Sequence, residues 1–502
     1  MTTQHDPPRQ AQPRNTSGLD NVRKHIGADF SASLVVFLVA LPLCVGIAVA
    51  SGVPAELGLI TGVVGGIVVG LLPGSTMQVS GPAAGLTVLV SSAVGQHGLG
   101  ALGLIVLGAG ALQIAMGLTG IGRWFRAISP SVVQGMLAGI GLVLILGQLY
   151  PLGAQEQPNS TGGKFAGLPG LLSTMVTTPQ GLSGLAVGVV TLVLLFGWPH
   201  LPARAHAFPG PLAAVVIGSG LTLALALPLP KVQVSSLLEA VNMPSAASPG
   251  TLAAVFGSMV VFALIASAES LFSAAAVDRM HDGPKTEFNK ELVAQGVGNA
   301  VCGVLGALPM TAVIVRSSTN VRAGARTRTA RVLHGVWLLL FVAALPWVLA
   351  LIPKAVLAAV LLHAGWKLLE VGRVVALVRE HRAEALVVLV TAGLIVGTDL
   401  LTGTLAGLVL ATVKMAFEVS RMSVRTQYGE DHVRVELGGT ATFVRLPRLL
   451  EHLERLPEVR TVEVDMSPAR HVDRACHQAV TQWAEQRRRG DCQVEVRQPV
   501  PA

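Results

Sequence analysis

The chain has 502 residues, of which 51% are hydrophobic and only 13% charged, with a formal net charge of +8 and a mean hydropathy of +0.62. Soluble chains carry about 25% charged residues, so this composition excludes an ordinary soluble enzyme or binding module and defines a polytopic membrane protein. The positive balance reads as basic loops between apolar runs rather than a nucleic-acid surface. The four cysteines have neither a disulfide framework nor metal-ligand spacing.

Residues 1–27 are polar and Pro-containing, with no apolar core or cleavage pattern, and are expected to form a disordered cytoplasmic tail rather than a signal peptide. From there to about 420, apolar runs alternate with short polar breaks, each run close to the length needed to cross about 30 Å of hydrocarbon. Fourteen spans are predicted, starting near 28, 54, 76, 98, 129, 181, 206, 251, 289, 311, 331, 353, 384 and 399. With both termini cytoplasmic, three Lys or Arg residues of this region lie outside (Lys164, Lys231, Lys354), one lies inside the membrane (Arg316), and fifteen fall in or beside cytoplasmic loops. That asymmetry sets the expected orientation and makes the Gly/Pro/Ser/Thr-rich loop 151–180 extracellular. The chain is expected to be a multi-pass protein of the cell (inner) membrane.

Two halves are visible, 28–227 and 250–420, joined by an extracellular linker at 228–249. Seven spans in each half make the second inverted relative to the first. Inverted repeats are the architecture of secondary transporters, whose sites lie at mid-membrane where broken helices meet. After Met422 the segments "HVRVEL", "LPRLLEHLERL", "RTVEVDMS", "VDRACHQAVTQWAEQRRRG" and "CQVEVR" alternate strand and helix patterns. Residues 421–502 are therefore expected to form a small cytosolic α/β domain.

Two spans are broken. In "STMQVSGPAAG" an extended piece ending at Ser80 precedes Gly81 and Pro82, and proline favours the first turn of a helix while pushing its predecessor out of helical geometry. A half-helix is expected to start near Gly81, with the small residues Gly81, Ala83, Ala84 and Gly85 leaving its free N–H groups accessible. In the second half, "ALPMTAVIVRSSTNVRAG" has a strand-like Thr311–Val315 stretch and a polar helix expected from about Arg316-Ser317. Non-helical backbone at this depth is tolerated only where protein or a water-filled cavity satisfies it. Two facing helix N-termini plus the Arg316 charge predict a pocket for an anion.

Charged residues at mid-bilayer cost a few kcal/mol and mark function. Arg316 and Glu269, in "VVFALIASAESLFSAAAV", qualify. Glu269 reads either as a proton carrier or as a fixed counter-ion of Arg316. Asp278, Glu291, Glu370 and Asp399 lie near span ends and are expected to reach water. Ser270, Ser273, Thr311 and Ser317 could equally hold sodium. His97, His206, His281, His334 and His363 are scattered without ligand spacing, so neither metal nor cofactor is expected. No nucleophile–base pair or phosphate-binding glycine loop supports an enzyme.

At these residues the chain resembles the sulfate permease (SulP) family of anion transporters, in its prokaryotic form. The resemblance rests on "LPLCVGIAVASGVPAELGLITG", "GSTMQVSGPAAG", "ALIASAESLFSAAAVDR" and "GALPMTAVIVRSSTNVRAGARTRTARVLHG". It implies an all-α membrane fold of seven-plus-seven inverted repeats shared with nucleobase transporters, a core moving against a gate, a homodimer, and a tail similar to anti-sigma-factor antagonist (STAS) domains. The expected substrate site comprises Leu43, Ser80, Gly81, Ala83, Ala84, Val315, Arg316 and Ser317, with Glu269 as the expected ion-coupling group. Leu43 and Val315 stand where many members have Gln and Ser, which removes polar contacts that a hydrated dianion would use. In the tail, "VDRAC" has no serine where antagonists are phosphorylated.

The expected function is a secondary transporter of small inorganic or organic anions by alternating access, with bicarbonate or a dicarboxylate ahead of sulfate and a proton, or sodium, as the coupling ion. A nucleobase–cation symporter of the same fold would place a carboxylate on the tenth span, where Arg316 stands. An anion channel or a membrane scaffold is the other competitor.

Overall fold

The fold was obtained as a computed structural model that describes residues 18–123, 129–158, 160–202, 208–233, 237–241, 243, 249–420, 422–489 and 492–497. The described chain divides into two compact units, Met1–Leu405 and Ala406–Ala502. The division falls inside the last helix before the strand-containing segment.

In the first unit the elements follow as α1 (Gly18–Ala50), α2 (Ala55–Val64, extended by a wide turn Gly65–Val69), β1 (Ser80–Pro82), α3 (Thr87–His97, entered through a tight turn Ala84–Leu86), α4 (Leu99–Leu118), α5 (Pro130–Leu152), α6 (Thr161–Thr177), α7 (Pro179–Gly197), α8 (Gly210–Ala224) and a short α9 (Leu237–Ala240). The second half repeats the order with α10 (Pro249–Val277), α11 (Phe288–Val304), β2 (Met310–Ala312), α12 (Ile314–Arg322), α13 (Thr329–Ala344), a short α14 (Pro346–Leu349), α15 (Lys354–Leu369), α16 (Val371–Glu380), α17 (Arg382–Gly397) and α18 (Leu400–Val419). Among the described residues six helices are long and apolar enough to cross a membrane alone. Shorter apolar helices cover Ala55–Val69, Gly210–Ala224 and Thr329–Ala344, and two further spans are the strand-plus-half-helix pieces. The chain is thus a helical polytopic membrane protein.

Two expectations are corrected. Residues 1–17 of the expected N-terminal tail lie outside the described residues, but 18–27 are helical and continue into the first span. The Asp29 carboxylate anchors that end: it accepts from the Arg326 and Thr327 amides (2.7 and 3.0 Å). The loop 151–180 is mostly helix α6, begun by Ser160, whose hydroxyl accepts from the Gly163 amide at 3.1 Å. Helix α16 exposes Val371, Val375 and Val378 alongside its arginines, the pattern of a helix lying in a membrane surface.

Two helical groups pack within this unit. In one, α4 lies against α10 and α11, and α1 against α2 and α13; in the other, α5 packs on α15 and α17, and α7 on α8 and α15. Helices α4 and α11 approach so closely that a Cβ on Gly110 would lie 2.4 Å from the Ala300 nitrogen. Small residues permit such contact in an apolar medium, where dispersion rather than burial drives packing. The groups meet where α1 faces α15 and where Ala83 and Leu86 share an apolar cluster with Met136, Ile140 and Ile395.

The strands β1 and β2 pair antiparallel, with Ser80 opposite Ala312, Gly81 opposite Thr311 and Pro82 opposite Met310. Two strands that short leave edge groups to satisfy, and buried amides do so. Asn299 accepts from the Met310 amide (2.7 Å), donates to its carbonyl (3.0 Å) and to Gln113 Oε1 (2.7 Å). Gln295 donates to Ser80 Oγ (2.7 Å), Ser270 Oγ accepts from the Ala312 amide (3.2 Å), and Ser317 Oγ accepts from the Val79 amide (2.9 Å). Orphaning a buried donor or acceptor costs about 1–3 kcal/mol. Asn299→Leu, which orphans both Met310 groups, is therefore expected to lower the melting temperature of the purified protein clearly; an unchanged melting curve would show that β2 does not depend on this clamp.

The second unit contains β3 (Met422–Tyr428), β4 (His432–Ala441), α19 (Leu446–Glu454), β5 (Thr461–Asp465), β6 (Ala469–Val472), α20 (Arg474–Arg488) and β7 (Gln493–Arg497). The sheet order is β3-β4-β5-β7, with β3 antiparallel to β4, the next pairings parallel, and β6 also pairing with β4. Alternating Val433, Val435 and Leu437 bury one strand face against Leu449, Leu453, Val480 and Trp483 of the two helices. This is the α/β unit expected from the pattern, and it fits a small STAS domain. Asp473 caps α20 by accepting from the Cys476 amide at 2.7 Å and also accepts from the Phe443 amide. Burial pushes this carboxyl up, but those hydrogen bonds outweigh it and hold it below its ordinary value.

Candidate functional site

The two half-helices start from opposite ends of the β1–β2 pair. Ala83 is extended (φ −109°, ψ 134°), and the helical course begins at Ala84, not at Gly81. Pro82 belongs to the strand instead of the first helical turn. In the second half Val313 is the last extended residue and α12 begins at Ile314, two residues before Arg316. The Ser317 amide is already bonded to the Val313 carbonyl (3.0 Å). The first N–H groups of a helix have no intrahelical partner, so the free donors here are those of Ala84 and Gly85 on one side and of Ile314, Val315 and Arg316 on the other.

All five of these residues line one cavity of about 50 Å³, together with Leu43, Glu269 and Ser273. Its remaining walls are apolar, from Ile140 on α5 and from Leu361, Ala364 and Leu368 on α15. A water needs about 10–15 Å³ of such volume, so the space suits a few waters or one small ion. Facing helix N-termini make it a region of positive partial charge.

Arg316 is fully buried, and its Nε, Nη1 and Nη2 have no hydrogen-bond partner among the described residues. The Cys44 thiol and His334 lie near the guanidinium. An unpaired ion in a low-dielectric interior costs several kcal/mol, so a counter-charge is needed to make this arrangement favourable. Glu269 does not supply it. Its carboxylate faces the Thr311 hydroxyl and the Gly85 backbone, where a Cβ would lie 2.9 Å from Oε2. No ion pair joins Glu269 to Arg316 among the described residues, so the fixed counter-ion alternative has no contact behind it.

Of the residues singled out from the sequence, Leu43, Ala84, Val315, Arg316 and Glu269 are brought to the cavity. Ser80, Gly81, Ala83 and Ser317 stand behind it: Ser80 and Ser317 hold the strands, and Gly81 makes room for the guanidinium. Ser270 is likewise occupied by the Ala312 amide. Glu291, expected to reach water, is fully buried and accepts from the Ser75 amide (2.7 Å) and Gln295 (2.8 Å). Arg331, counted with a cytoplasmic loop, is also buried, and donates to the Gly70 and Leu72 carbonyls (3.1 and 2.9 Å). Sequence reasoning missed these clamps and the supporting Gln113, Gln295 and Asn299, although polar residues inside apolar runs were a usable signal. The apolar walls from α5 and α15 carry no such signal.

In this polytopic helical bundle two paired half-helices hold a buried arginine without a protein partner among the described residues beside a small cavity, an arrangement suited to an anion. Residues 26–391 match the sulfate permease family, and the chain belongs to that family. It is 29% identical over 409 residues to YvdB of Bacillus subtilis (strain 168), covering 80% of this chain and 74% of that one. It is 26% identical over 422 residues to the bicarbonate transporter BicA of Picosynechococcus sp., covering 80% and 71%. The structure of murine Slc26a9, an anion transporter in the inward-facing state, matches with a TM-score of 0.76 at 16% identity over 99% of this chain and 93% of that one. The chain is therefore a membrane anion transporter of the SulP type and not an enzyme.

Proposed function

We propose that the chain is a secondary active transporter that carries one small anion by alternating access, in symport with a cation held at Glu269. The observation that carries this reading is Arg316: three unpartnered guanidinium nitrogens, fully buried, beside a small cavity ringed by free helix N–H groups. The group of helices around α5 and α15 is the gate, and the group containing both half-helices is the moving core. The orientation has both termini cytoplasmic in the cell (inner) membrane, and the working unit is a homodimer.

Bicarbonate or a small dicarboxylate is the favoured substrate, with sulfate third. The pocket is compact and, with Leu43 and Val315 in its wall, offers few side-chain donors besides Arg316, which favours the singly charged bicarbonate; a dicarboxylate requires the pocket to widen. The family includes sulfate and bicarbonate transporters, so sulfate stays in the test. A proton on Glu269 is the coupling ion for a dicarboxylate. Bicarbonate moved with a proton would deliver only the equivalent of CO2 and water, so in that case the cation is sodium, held by Glu269 with Thr311 and Ser273.

The test is uptake of radiolabelled bicarbonate, succinate and sulfate into proteoliposomes under inward proton or sodium gradients. Accumulation of one anion under one gradient is expected. Glu269→Gln should reduce accumulation to the equilibrium value while anion exchange across equal concentrations persists. Uptake that ignores both gradients would make the protein a passive anion pathway.

A further inference from the structure

We propose that a second anion-binding site lies in the cavity between α3, α5 and the first turn of α6, where the Lys164 ammonium receives a small anion on its way to or from the centre. The inference rests on the anion-transport reading for the direction of travel, and on geometry of its own for the site.

This cavity of about 30 Å³ is lined by Gln148, Gln157, Thr161 and Lys164, with Thr87 and Asp399 on its other walls. Ala84, Gly85 and Ile140 line both it and the central pocket. The two cavities therefore flank the start of the first half-helix, one on each side. Volume for two or three waters admits one small anion after dehydration.

Lys164 is only 5% exposed. Its carbonyl accepts from the Tyr150 hydroxyl at 2.5 Å, but its Nζ makes no hydrogen bond or ion pair among the described residues. The Asp399 carboxylate is turned to Thr402, accepting from its amide (2.9 Å) and hydroxyl (2.6 Å). Burial lowers the Lys164 pKa to about 8, which leaves it cationic at neutral pH. A buried cation without a counter-charge is unfavourable unless an anion supplies one.

Two further features shape the site. Gly147 on α5 leaves room for the converging tips: a Cβ there would lie 2.5 Å from Gln157 Oε1 and 3.2 Å from Lys164 Nζ. Gln157 is held in place by donating to the Ala50 carbonyl at the end of α1. Lysine 164 also sits in the first turn of a 17-residue helix, whose free N-terminal amides at Thr161 and Gly162 add positive partial charge.

The deciding experiment measures the rate at which an amine-specific acylating reagent modifies Lys164 in the full chain in nanodiscs, read by mass spectrometry, with increasing bicarbonate or sulfate. Slowing of several-fold is expected in wild type and equally in Arg316→Met, whose central pocket has lost its charge. No slowing, or slowing that disappears in Arg316→Met, overturns the proposal, because Lys164 would then at most report occupancy elsewhere. Failure of wild type to transport any anion of the panel would undo the transport reading without deciding the protection result. Where uptake is measurable, Lys164→Gln should raise KM for anion presented on the Lys164 side, with the maximal rate and the opposite-side KM unchanged, and Lys164→Arg should restore it. A fall in maximal rate alone would assign Lys164 a structural role.

Discussion

Arg316→Met is expected to abolish anion uptake and, in the same protein, to raise the melting temperature measured without anion. Hydrogen bonds to a charged group contribute about 1.5–3 kcal/mol each, so losing two of them weakens anion binding by at least about 100-fold. The stability change has the opposite sign. The wild-type guanidinium is fully buried and unpartnered, and replacing an uncompensated buried ion by an apolar chain of similar volume removes its desolvation cost. Methionine keeps most of the packing, which alanine would forfeit as a cavity. Adding the transported anion should raise the wild-type melting temperature in proportion to the logarithm of its concentration and leave the variant unmoved. A variant that melts lower and still responds to anion would mean that Arg316 supports the fold and takes no part in binding. Arg316→Lys preserves the charge but not the planar fork, so it should recover stability behaviour close to wild type while uptake stays impaired.

The second large effect is expected from a single methyl group. In Gly81→Ala the new Cβ would fall 2.1 Å from Arg316 Nη1 and 3.2 Å from its Cζ, so the guanidinium must move by about an ångström. The strand cannot yield instead. Gly81 is paired with Thr311 across the ladder, and the adjacent Ser80 carbonyl lies against Gly65, where a Cβ would be 2.5 Å away. Misplacing a binding group by about 1 Å can cost about 100-fold in rate, so uptake should fall by that order while the protein still folds. Gly100→Ala on α4, with nothing within 4 Å of the added Cβ, is the matched control and should transport normally. Equal losses in both variants would mean that the added methyl group itself, and not the guanidinium's position, causes the loss.

Both predictions turn on the spacing between a strand and a side chain two hundred residues apart in sequence, and this is where the limits of sequence reading lie. The broken spans were legible because Gly81-Pro82 and the run from Thr311 to Val315 interrupt apolar helices with residues that oppose helix. The exact start of each half-helix was not. Pro82 suits a first turn in isolation, yet pairing with Met310 draws it into a strand and moves the free N–H groups on to Ala84 and Gly85. Likewise, Glu269 and Arg316 were both identifiable as buried charges, but no pattern in one dimension says whether two such residues touch.

The sequence by itself determined that the protein spans a membrane many times, that its halves are inverted, that a soluble α/β unit follows, and that an arginine stands at a helix break. Each of these is a local property of composition, periodicity or charge sorting, because water and lipid act on every segment separately. Only the tertiary structure decided that Arg316 faces a cavity and not Glu269, that Ser80 and Ser317 hold strands while Ala84 and Val315 line the cavity, and that Asn299, Gln295 and Glu291 clamp the crossing point. Those outcomes depend on which distant groups reach one another's unsatisfied N–H and C=O groups where no water can substitute, and that is a property of the packed whole.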